Sequence, residues 1–417
     1  MNDTAATEYQ STQSSSPSSF VDKSARRLVL AMMRKLRYGQ IVLRDQGETF
    51  TFGDDRRLRV HINVLDQRFY AKVLFAGSIG AGEAYIDRLW EADNLTMLIR
   101  IMVLNMKLLD RMEKGFAWLL HPLRLASHSL KRNTRKGAKQ NIISHYDLGN
   151  ELYKSFLDPA MMYSSAIYPT NSSSLEEASR HKLDTICRKL DLQSSDHIVE
   201  IGTGWGGFAL HAAVHYGCHV TTTTISDNQY AEAKKRIRLA GMEDRITLLQ
   251  QDYRDLKGQY DKLVSIEMIE AVGDKYLTDY FKKCGSLLKH NGMMLLQAIT
   301  IQDQKYNQYA RSVDFIQRHI FPGGCLPSNR KMLDLICDTS DMVVRSLEDY
   351  GSHYAATLKE WRRRFNANFT YLKEHGFDER FKRLWEFYLC YCEGGFQEKS
   401  ISVVQLVATK PGYREKI

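Results

Sequence analysis

The sequence predicts an α/β protein whose larger part is a doubly wound, Rossmann-like parallel sheet. Between residues 198 and 266, four apolar runs of strand length alternate with stretches of helix-forming composition. A loop with glycine at positions 202, 204, 206 and 207 separates the first run from the first helix. Because ligands bind such sheets at the carboxyl ends of the strands, we expect a ligand site at this loop.

By composition, the chain divides into a tail, two domains and a linker. Residues 1–22 are rich in Ser, Thr, Gln and Asn, and we expect them to be disordered. A smaller α+β domain is predicted over residues 23–105. A basic helical linker at 106–140 then leads to the main domain at 141–417.

Within the smaller domain, we expect one helix and three strands before a glycine-rich turn. Glycines at positions 77, 80 and 82 indicate that this turn runs as far as Asp87, and their spacing alone assigns them no chemistry. The helix is predicted at 25–36, and the strands at 40–44, 49–52 and 58–64.

The glycine loop after the first strand of the main domain has the composition of a nucleotide site. A strand, a glycine turn and a helix N-terminus let the backbone approach a ligand closely and supply free N–H groups. The spacing of Gly202, Gly204 and Gly207 also satisfies the dinucleotide fingerprint. A nicotinamide dinucleotide is therefore the alternative ligand.

Three features around the loop favour S-adenosylmethionine (SAM) instead. Glu200, just before the glycines, would repel a pyrophosphate but can accept hydrogen bonds from an ammonium group, and SAM carries an α-amino group and no phosphate. The next strand, 220–226, lacks the acid that holds the ribose of NAD. Asp252 follows the third strand and is placed to meet the adenine amino group. The order of these features predicts a class I SAM-dependent methyltransferase fold.

Charge and composition restrict the partners. The net charge is +9, and the basic excess lies between residues 100 and 139. Apolar and basic residues interleave over 102–130, which suits a helix on an anionic lipid surface, although this pattern taken alone favours an ordinary packed helix. No nucleic-acid-binding motif is present, so we expect no nucleic acid partner.

The chain also shows no run of about 18 apolar residues and no apolar signal core near its start. The seven cysteines lack the spacing of a disulfide framework or of a metal site. We therefore expect a cytoplasmic protein that binds no metal.

Two aromatic segments are candidates for an apolar substrate pocket. An insertion near residues 300–330 is apolar, with few strand or helix signals, and we expect it to bind an acyl chain because long ordered loops in compact domains are usually functional. The aromatic residues of 381–396 recur at helical spacing, which indicates either a pocket wall or ordinary core.

Several separated motifs resemble the cyclopropane-fatty-acyl-phospholipid synthases, and the resemblance covers nearly all of the chain after about residue 24. The motifs that carry it are 144–150, 157–159, 162–166, 200–207, 224–229, 251–255, 309–327 and 381–396. The resemblance implies transfer of the SAM methyl group to the cis double bond of an unsaturated acyl chain in a membrane phospholipid, with a cyclopropane ring as product. It also implies a protein peripheral on the inner membrane, a homodimer, and a bound bicarbonate as proton acceptor.

The resemblance also implies roles for individual residues. Bicarbonate would be held at the positions of Glu270, Ile299 and Tyr354, with Glu270 as the strongest catalytic candidate and Ser165 and Gln297 beside it. With Glu200 and the loop glycines, the cofactor-binding set is Tyr163, Ser164, Glu200, Gly202, Gly204, Gly207, Thr224, Ile225, Gln229, Asp252 and Tyr253.

Three departures from the family pattern concern the final proton removal. Ser165 stands where many synthases have Cys, Gln297 where they have His, and Ala271 where a His follows the Glu. Ser and Gln can hydrogen-bond an oxyanion, but neither titrates near neutrality as His does. The alternatives are a methylene or methyl-branched product, a non-catalytic lipid-binding protein of the same fold, and a methyltransferase for a small amine or hydroxyl.

Overall fold

The computed structural model describes residues 19–108 and 148–414. Most of the predicted tail, most of the basic linker and the start of the 144–150 motif lie outside the described residues. So does most of the amphipathic stretch 102–130. The bounds predicted for the domains and for the linker therefore stay predictions.

Residues 19–108, here called the N-terminal unit, form a small sheet with helices against it. The strand order is β2-β1-β3-β4, with β1 antiparallel to β2 and parallel to β3. The first helix begins at Phe20, inside the predicted tail, because Ser19 and Asp22 form a capping box at its start. The elements are α1 (Phe20–Met33), β1 (Gln40–Asp45), β2 (Glu48–Phe52), β3 (Arg59–Val64), α2 (Arg68–Ile86), β4 (Trp90–Ala92) and α3 (Leu95–Leu104).

The glycine turn predicted before Asp87 is wrong, since residues 68–86 form helix α2 with a break at Gly77, where φ is 57°. The other two glycines allow close packing. A Cβ on Gly80 would lie 2.0 Å from the Lys72 carbonyl oxygen, and a Cβ on Gly82 would lie 2.6 Å from the Phe315 ring. Sequence spacing suggested a loop because it does not show these neighbours.

The main unit, residues 148–414, is built on a seven-stranded sheet. The strand order is β10-β11-β9-β8-β5-β6-β7, parallel from β9 to β7, with β11 antiparallel to β9 and β10 antiparallel to β11. The four strands predicted within 198–266 are confirmed, together with the doubly wound α/β fold. The strands are β5 (His197–Ile201), β6 (His219–Thr224), β7 (Ile246–Gln250), β8 (Tyr260–Ile266), β9 (Leu288–Ile301), β10 (Val343–Asp349) and β11 (Ile401–Thr409).

Helices cover the sheet and carry the expected insertion. The insertion contains α9 and α10, and the aromatic run at 381–396 is the long helix α14, as its spacing predicted. The helices are α4 (Asn150–Lys154), α5 (Leu175–Lys189), α6 (Gly207–Tyr216), α7 (Asp227–Leu239), α8 (Leu277–Leu287), α9 (Asp303–Tyr309), α10 (Phe315–His319), α11 (Asn329–Thr339), α12 (Gly351–Ala367), α13 (Phe369–Glu374) and α14 (Glu379–Gln397).

Helix α14 joins the two units. Arg383 Nε donates to the Tyr85 carbonyl at 2.6 Å, and its guanidinium lies over the Tyr85 ring at 3.9 Å from the centroid. Buried Thr96 donates to Glu393 at 3.1 Å. Buried side chains of both units belong to one continuous apolar core. The N-terminal unit is therefore packed firmly beside the insertion.

Candidate active site

A cavity of about 620 Å³ lies where β5, β6, β7 and β8 end. It extends from the glycine loop, past the insertion, to the N-terminal unit. All of the predicted cofactor-binding residues line it, as do Glu270, Ile299 and Tyr354. Ser165 and Gln297 do not line the cavity, but both hydrogen-bond a side chain that does.

The glycine loop leaves room for a ligand against its backbone. Gly202 and Gly204 have φ of 100° and 53°, in the left-handed region that favours glycine. A Cβ on Gly204 would meet no atom within 4 Å, although Gly204 borders the cavity. Gly207 has a different role, because a Cβ there would lie 2.4 Å from the Met162 sulfur.

Glu200 is buried at the end of β5, next to this loop. Its Oε2 accepts a 2.6 Å hydrogen bond from the Thr222 hydroxyl, which also contacts the Thr203 hydroxyl at 2.7 Å. Burial raises the pKa of Glu200 to about 8, against the opposing effects of Thr222 and Lys182. A carboxyl held in this way is suited to an ammonium group, whose charge would favour its ionised form.

The other predicted cofactor residues are fixed by neighbours. The Thr224 hydroxyl donates to Gln229 Oε1 at 2.9 Å, and the Tyr163 and Tyr388 hydroxyls lie 2.9 Å apart. The Asp252 carboxylate accepts hydrogen bonds from the Arg254 backbone N–H at 2.9 Å and from its guanidinium at 2.8 and 2.6 Å. An adenine amino group would therefore share this carboxylate with Arg254.

Sequence reasoning missed Lys182, which has no exposed surface. Its Nζ donates to the Ser164 hydroxyl at 2.7 Å. Burial lowers the pKa of Lys182 to about 8, although Glu267, Asp158 and Glu200 favour its charged form. The lysine thus places a positive charge near Glu267 and Glu200, two acidic residues that line the cavity. Nothing in the sequence of α5, a helix rich in charges, separates it from solvated lysines.

A second residue without an assigned role, Glu267, lies at the centre of the predicted catalytic set. Its Oε1 accepts hydrogen bonds from the Ser165 backbone N–H at 2.8 Å and from Gln297 Nε2 at 2.7 Å. Its Oε2 accepts one from the Tyr354 hydroxyl at 2.7 Å. The Ser165 hydroxyl donates to the Ala166 carbonyl at 3.0 Å, whereas its backbone N–H donates to Glu267.

Glu270, the strongest candidate from the sequence, lies beside Glu267. Its Oε1 accepts a 2.5 Å hydrogen bond from the Ile299 N–H, while its Oε2 is buried without a partner among the described residues. Burial and the nearby Glu267 charge raise the pKa of Glu270 to about 8. Burial also raises the pKa of Glu267 on balance, although its three hydrogen bonds and the charge of Lys182 act in the opposite direction. A negative charge is therefore better stabilised on Glu267, which receives three hydrogen bonds, than on Glu270, whose Oε2 has no partner among the described residues.

Gln297 is oriented by a second amide. Gln405 Nε2 donates to Gln297 Oε1 at 3.0 Å, and Lys189 Nζ donates to Gln405 Oε1 at 2.9 Å. This chain of hydrogen bonds turns the Gln297 amino group toward Glu267. Gln297 thus acts as a fixed hydrogen-bond donor to Glu267, and its amide does not take up or release a proton.

The residues present do not fit a bound bicarbonate. The Tyr354 hydroxyl and the Ile299 N–H, expected to hold that anion, donate to Glu267 and Glu270. The Ser165 N–H and the Gln297 amide are used in the same way. The expected bicarbonate site is thus occupied by the protein's own carboxyl groups.

The far part of the cavity is apolar. The insertion contributes Tyr309, Ile316 and Phe321, and α14 contributes Phe387 and Tyr391. The N-terminal unit adds apolar wall that the sequence did not suggest, including Val73, Leu98, Ile99 and Met102. One continuous space therefore joins a polar, nucleoside-sized end to an apolar chamber.

Comparison with known proteins identifies the group to which this site belongs. The family model described as mycolic acid cyclopropane synthetase matches residues 133–406. The cyclopropane-fatty-acyl-phospholipid synthase of Escherichia coli is 37% identical over 84% of this chain and 87% of that protein. The tuberculostearic acid methyltransferase UfaA1 of Mycobacterium tuberculosis is 35% identical over 81% of this chain and 80% of that protein.

A solved structure agrees with these relatives. Mycolic acid cyclopropane synthase CmaA1, complexed with SAH and CTAB, matches with a TM-score of 0.61 and 27% identity, over 65% of this chain and 98% of that one. SAH is what remains of SAM after its methyl group is transferred, so SAM is the cofactor of this fold. The chain belongs to the mycolic acid cyclopropane synthetase family, as its motifs predicted, and is a SAM-dependent methyltransferase.

Proposed function

We propose that this enzyme transfers the methyl group of SAM to the cis double bond of an unsaturated acyl chain in a membrane phospholipid, forming a cyclopropane ring. The observation that carries the proposal is the single cavity that joins the glycine loop to an apolar chamber. A hydrocarbon chain in that chamber would reach the cofactor site without crossing water. A small amine or hydroxyl substrate has no need of such a chamber.

SAM supplies an electrophilic methyl group, and the chain's residues hold it and receive the substrate. Glu200 would bind the α-amino group of SAM, and the backbone at Gly202 and Gly204 would hold its nucleoside. An alkene is a weak nucleophile, so the rate depends on positioning and electrostatics. The aromatic rings of Tyr163, Tyr354 and Phe396, which line the same cavity as the two glutamates, are suited to stabilise a carbocation.

We also propose that the enzyme works as a peripheral protein at the inner membrane surface. The described residues include no helix with the length and apolar character needed to span a bilayer. The outer face of α1, however, exposes Phe20 (85%), Val21 (51%) and Leu28 (40%) beside the exposed Lys23 and Arg27. Apolar side chains among cations suit an anionic lipid surface. The homodimer implied by the resemblance stays part of the proposal.

The test uses vesicles of phospholipid with cis-unsaturated acyl chains and SAM labelled in its methyl group. We expect label in the acyl chains, in a product that survives hydrogenation under conditions that saturate an alkene. Label that hydrogenation converts to a methyl branch would instead establish a methylene product. Binding of lipid and SAM without any transfer of label would identify a non-catalytic lipid-binding protein.

A further inference from the structure

We propose that Glu267 is the base that removes the proton from the transferred methyl group, so that the reaction needs no external bicarbonate. This inference rests on the proposed function and assigns its proton-transfer step. The resemblance to the family implies no role for Glu267 and implies a bound anion as the proton acceptor. The structure places a carboxylate of the chain where that anion was expected.

The first support is the set of donors. The Ser165 N–H, the Gln297 amide and the Tyr354 hydroxyl, at 2.7–2.8 Å from Glu267, are the groups that would otherwise bind an oxyanion. A carboxylate offers about four lone-pair positions, so three hydrogen bonds leave one for a proton. Glu267 also borders the cavity beside Glu270. Its carboxylate is thus both fixed in orientation and accessible to a substrate.

The second support is the backbone. Glu267 has a φ of 49°, in the left-handed region where a side chain costs about 1–2 kcal/mol and glycine is favoured. Its N–H is held there by the Gln297 carbonyl at 2.8 Å. Strained conformations that persist cluster at functional sites. A glutamate retained at such a position indicates that its carboxylate is needed.

The third support is the charge distribution around the pair of carboxyls. The titratable groups that face Glu267 are Glu270, Tyr354 and Lys182. Burial keeps the pKa of Tyr354 well above its usual value, so this hydroxyl stays a neutral donor. Glu270 holds a proton at neutral pH, whereas Lys182 and the three donors favour the ionised form of Glu267. Hydrogen bonds and charge thus favour ionisation of Glu267 over ionisation of Glu270.

The π electrons of the alkene form a bond to the methyl carbon, and the C–S electron pair leaves on sulfur. An oxygen of Glu267 takes one proton from the transferred methyl group, and the released C–H electron pair closes the ring. The products are a cyclopropane, a neutral thioether and a protonated Glu267, which returns its proton to solvent before the next turnover.

The experiment combines bicarbonate depletion with Glu267→Gly, which removes the carboxylate and suits the left-handed backbone. Wild type, in buffer freed of CO₂, should keep its rate on cis-unsaturated vesicles to within about twofold. The variant should lose about 100-fold or more, the usual contribution of a general base. Bicarbonate, formate or acetate should restore at least part of the lost rate. Arg88→Gly, at an exposed position with a φ of 57°, is the matched control and should leave the rate unchanged.

A direct binding measurement accompanies the rates. In the presence of SAH, ¹³C-bicarbonate should show line broadening with Glu267→Gly and none with wild type. If wild type needs bicarbonate for activity, the inference is overturned but the proposed function stands. Full activity of the variant without any added carboxylate would have the same consequence. A folded variant that binds SAM but is rescued by no carboxylate would reduce Glu267 to a structural role. Wild type that labels no lipid would refute the proposed function as well.

Discussion

Lys182→Met offers a test in which stability and activity move in opposite directions. The buried ammonium has a pKa of about 8, compared with the usual 10.5, which corresponds to roughly 3 kcal/mol against the charged form at pH 7. Methionine has similar length and removes that cost. It also leaves the Ser164 hydroxyl without its donor, which costs about 1 kcal/mol. The variant should therefore be more stable than wild type by roughly 2 kcal/mol.

The pH dependence has a definite sign. Since the folded protein releases the Lys182 proton near pH 8 and the unfolded chain near 10.5, wild-type stability gains from this group as pH rises between these values. The variant lacks this gain. Turnover should fall at least tenfold and its pH profile should move upward, because Glu267 loses the cation that favours its ionised form.

Urea unfolding at pH 7 and pH 10, with turnover measured on the same preparations, provides the readout. Arg188→Met, at an exposed position on the same helix, is the control and should change stability by no more than about 0.5 kcal/mol. A loss of 3 kcal/mol or more in Lys182→Met at pH 7 would refute the reasoning. It would show that the attraction between the lysine and the neighbouring carboxyls exceeds the cost of burying its charge.

Three further outcomes are expected. SAM binding at pH 7 should release a proton, because the ammonium group of SAM favours the ionised form of Glu200, whose pKa is about 8. Calorimetry in two buffers of different ionisation enthalpy measures this release, and equal binding heats in the two buffers would contradict it. Gln405→Leu should lower turnover about tenfold and leave SAM affinity unchanged, because Gln297 loses the donor that orients it. Gly82→Ala should raise KM for lipid without affecting SAM binding, because the added Cβ displaces the rings of Phe315 and of Phe387, which lines the chamber. An unchanged KM would show that the packing of α2 does not shape the acyl chamber.

The sheet and the glycine loop were predictable because their signals are local. An apolar run, a glycine turn and a helix follow one another within about 20 residues, and the loop geometry needs glycine at Gly202 and Gly204. The resemblance supplied the positions of Tyr354 and Ile299. Each of these residues borders the cavity, as expected.

The roles inside the site were not predictable in the same way. Glu267 and Glu270 lie three positions apart at the end of one strand, and spacing does not show which carboxyl receives donors from distant Ser165, Gln297 and Tyr354. Lys182 lies on a charged helix, and only tertiary packing buries it. The glycines of α2 suggested a turn because their partner, Phe315, lies more than 200 residues away.

The wall that the N-terminal unit gives to the chamber has a consequence for substrate choice. Ile99 and Met102 of α3 line the same space as side chains of the insertion. The length and bulk of the hydrocarbon chain that can enter therefore depend both on the N-terminal unit and on the insertion of the main unit. A larger side chain on α3 would select shorter lipids while leaving every group that handles the methyl donor untouched.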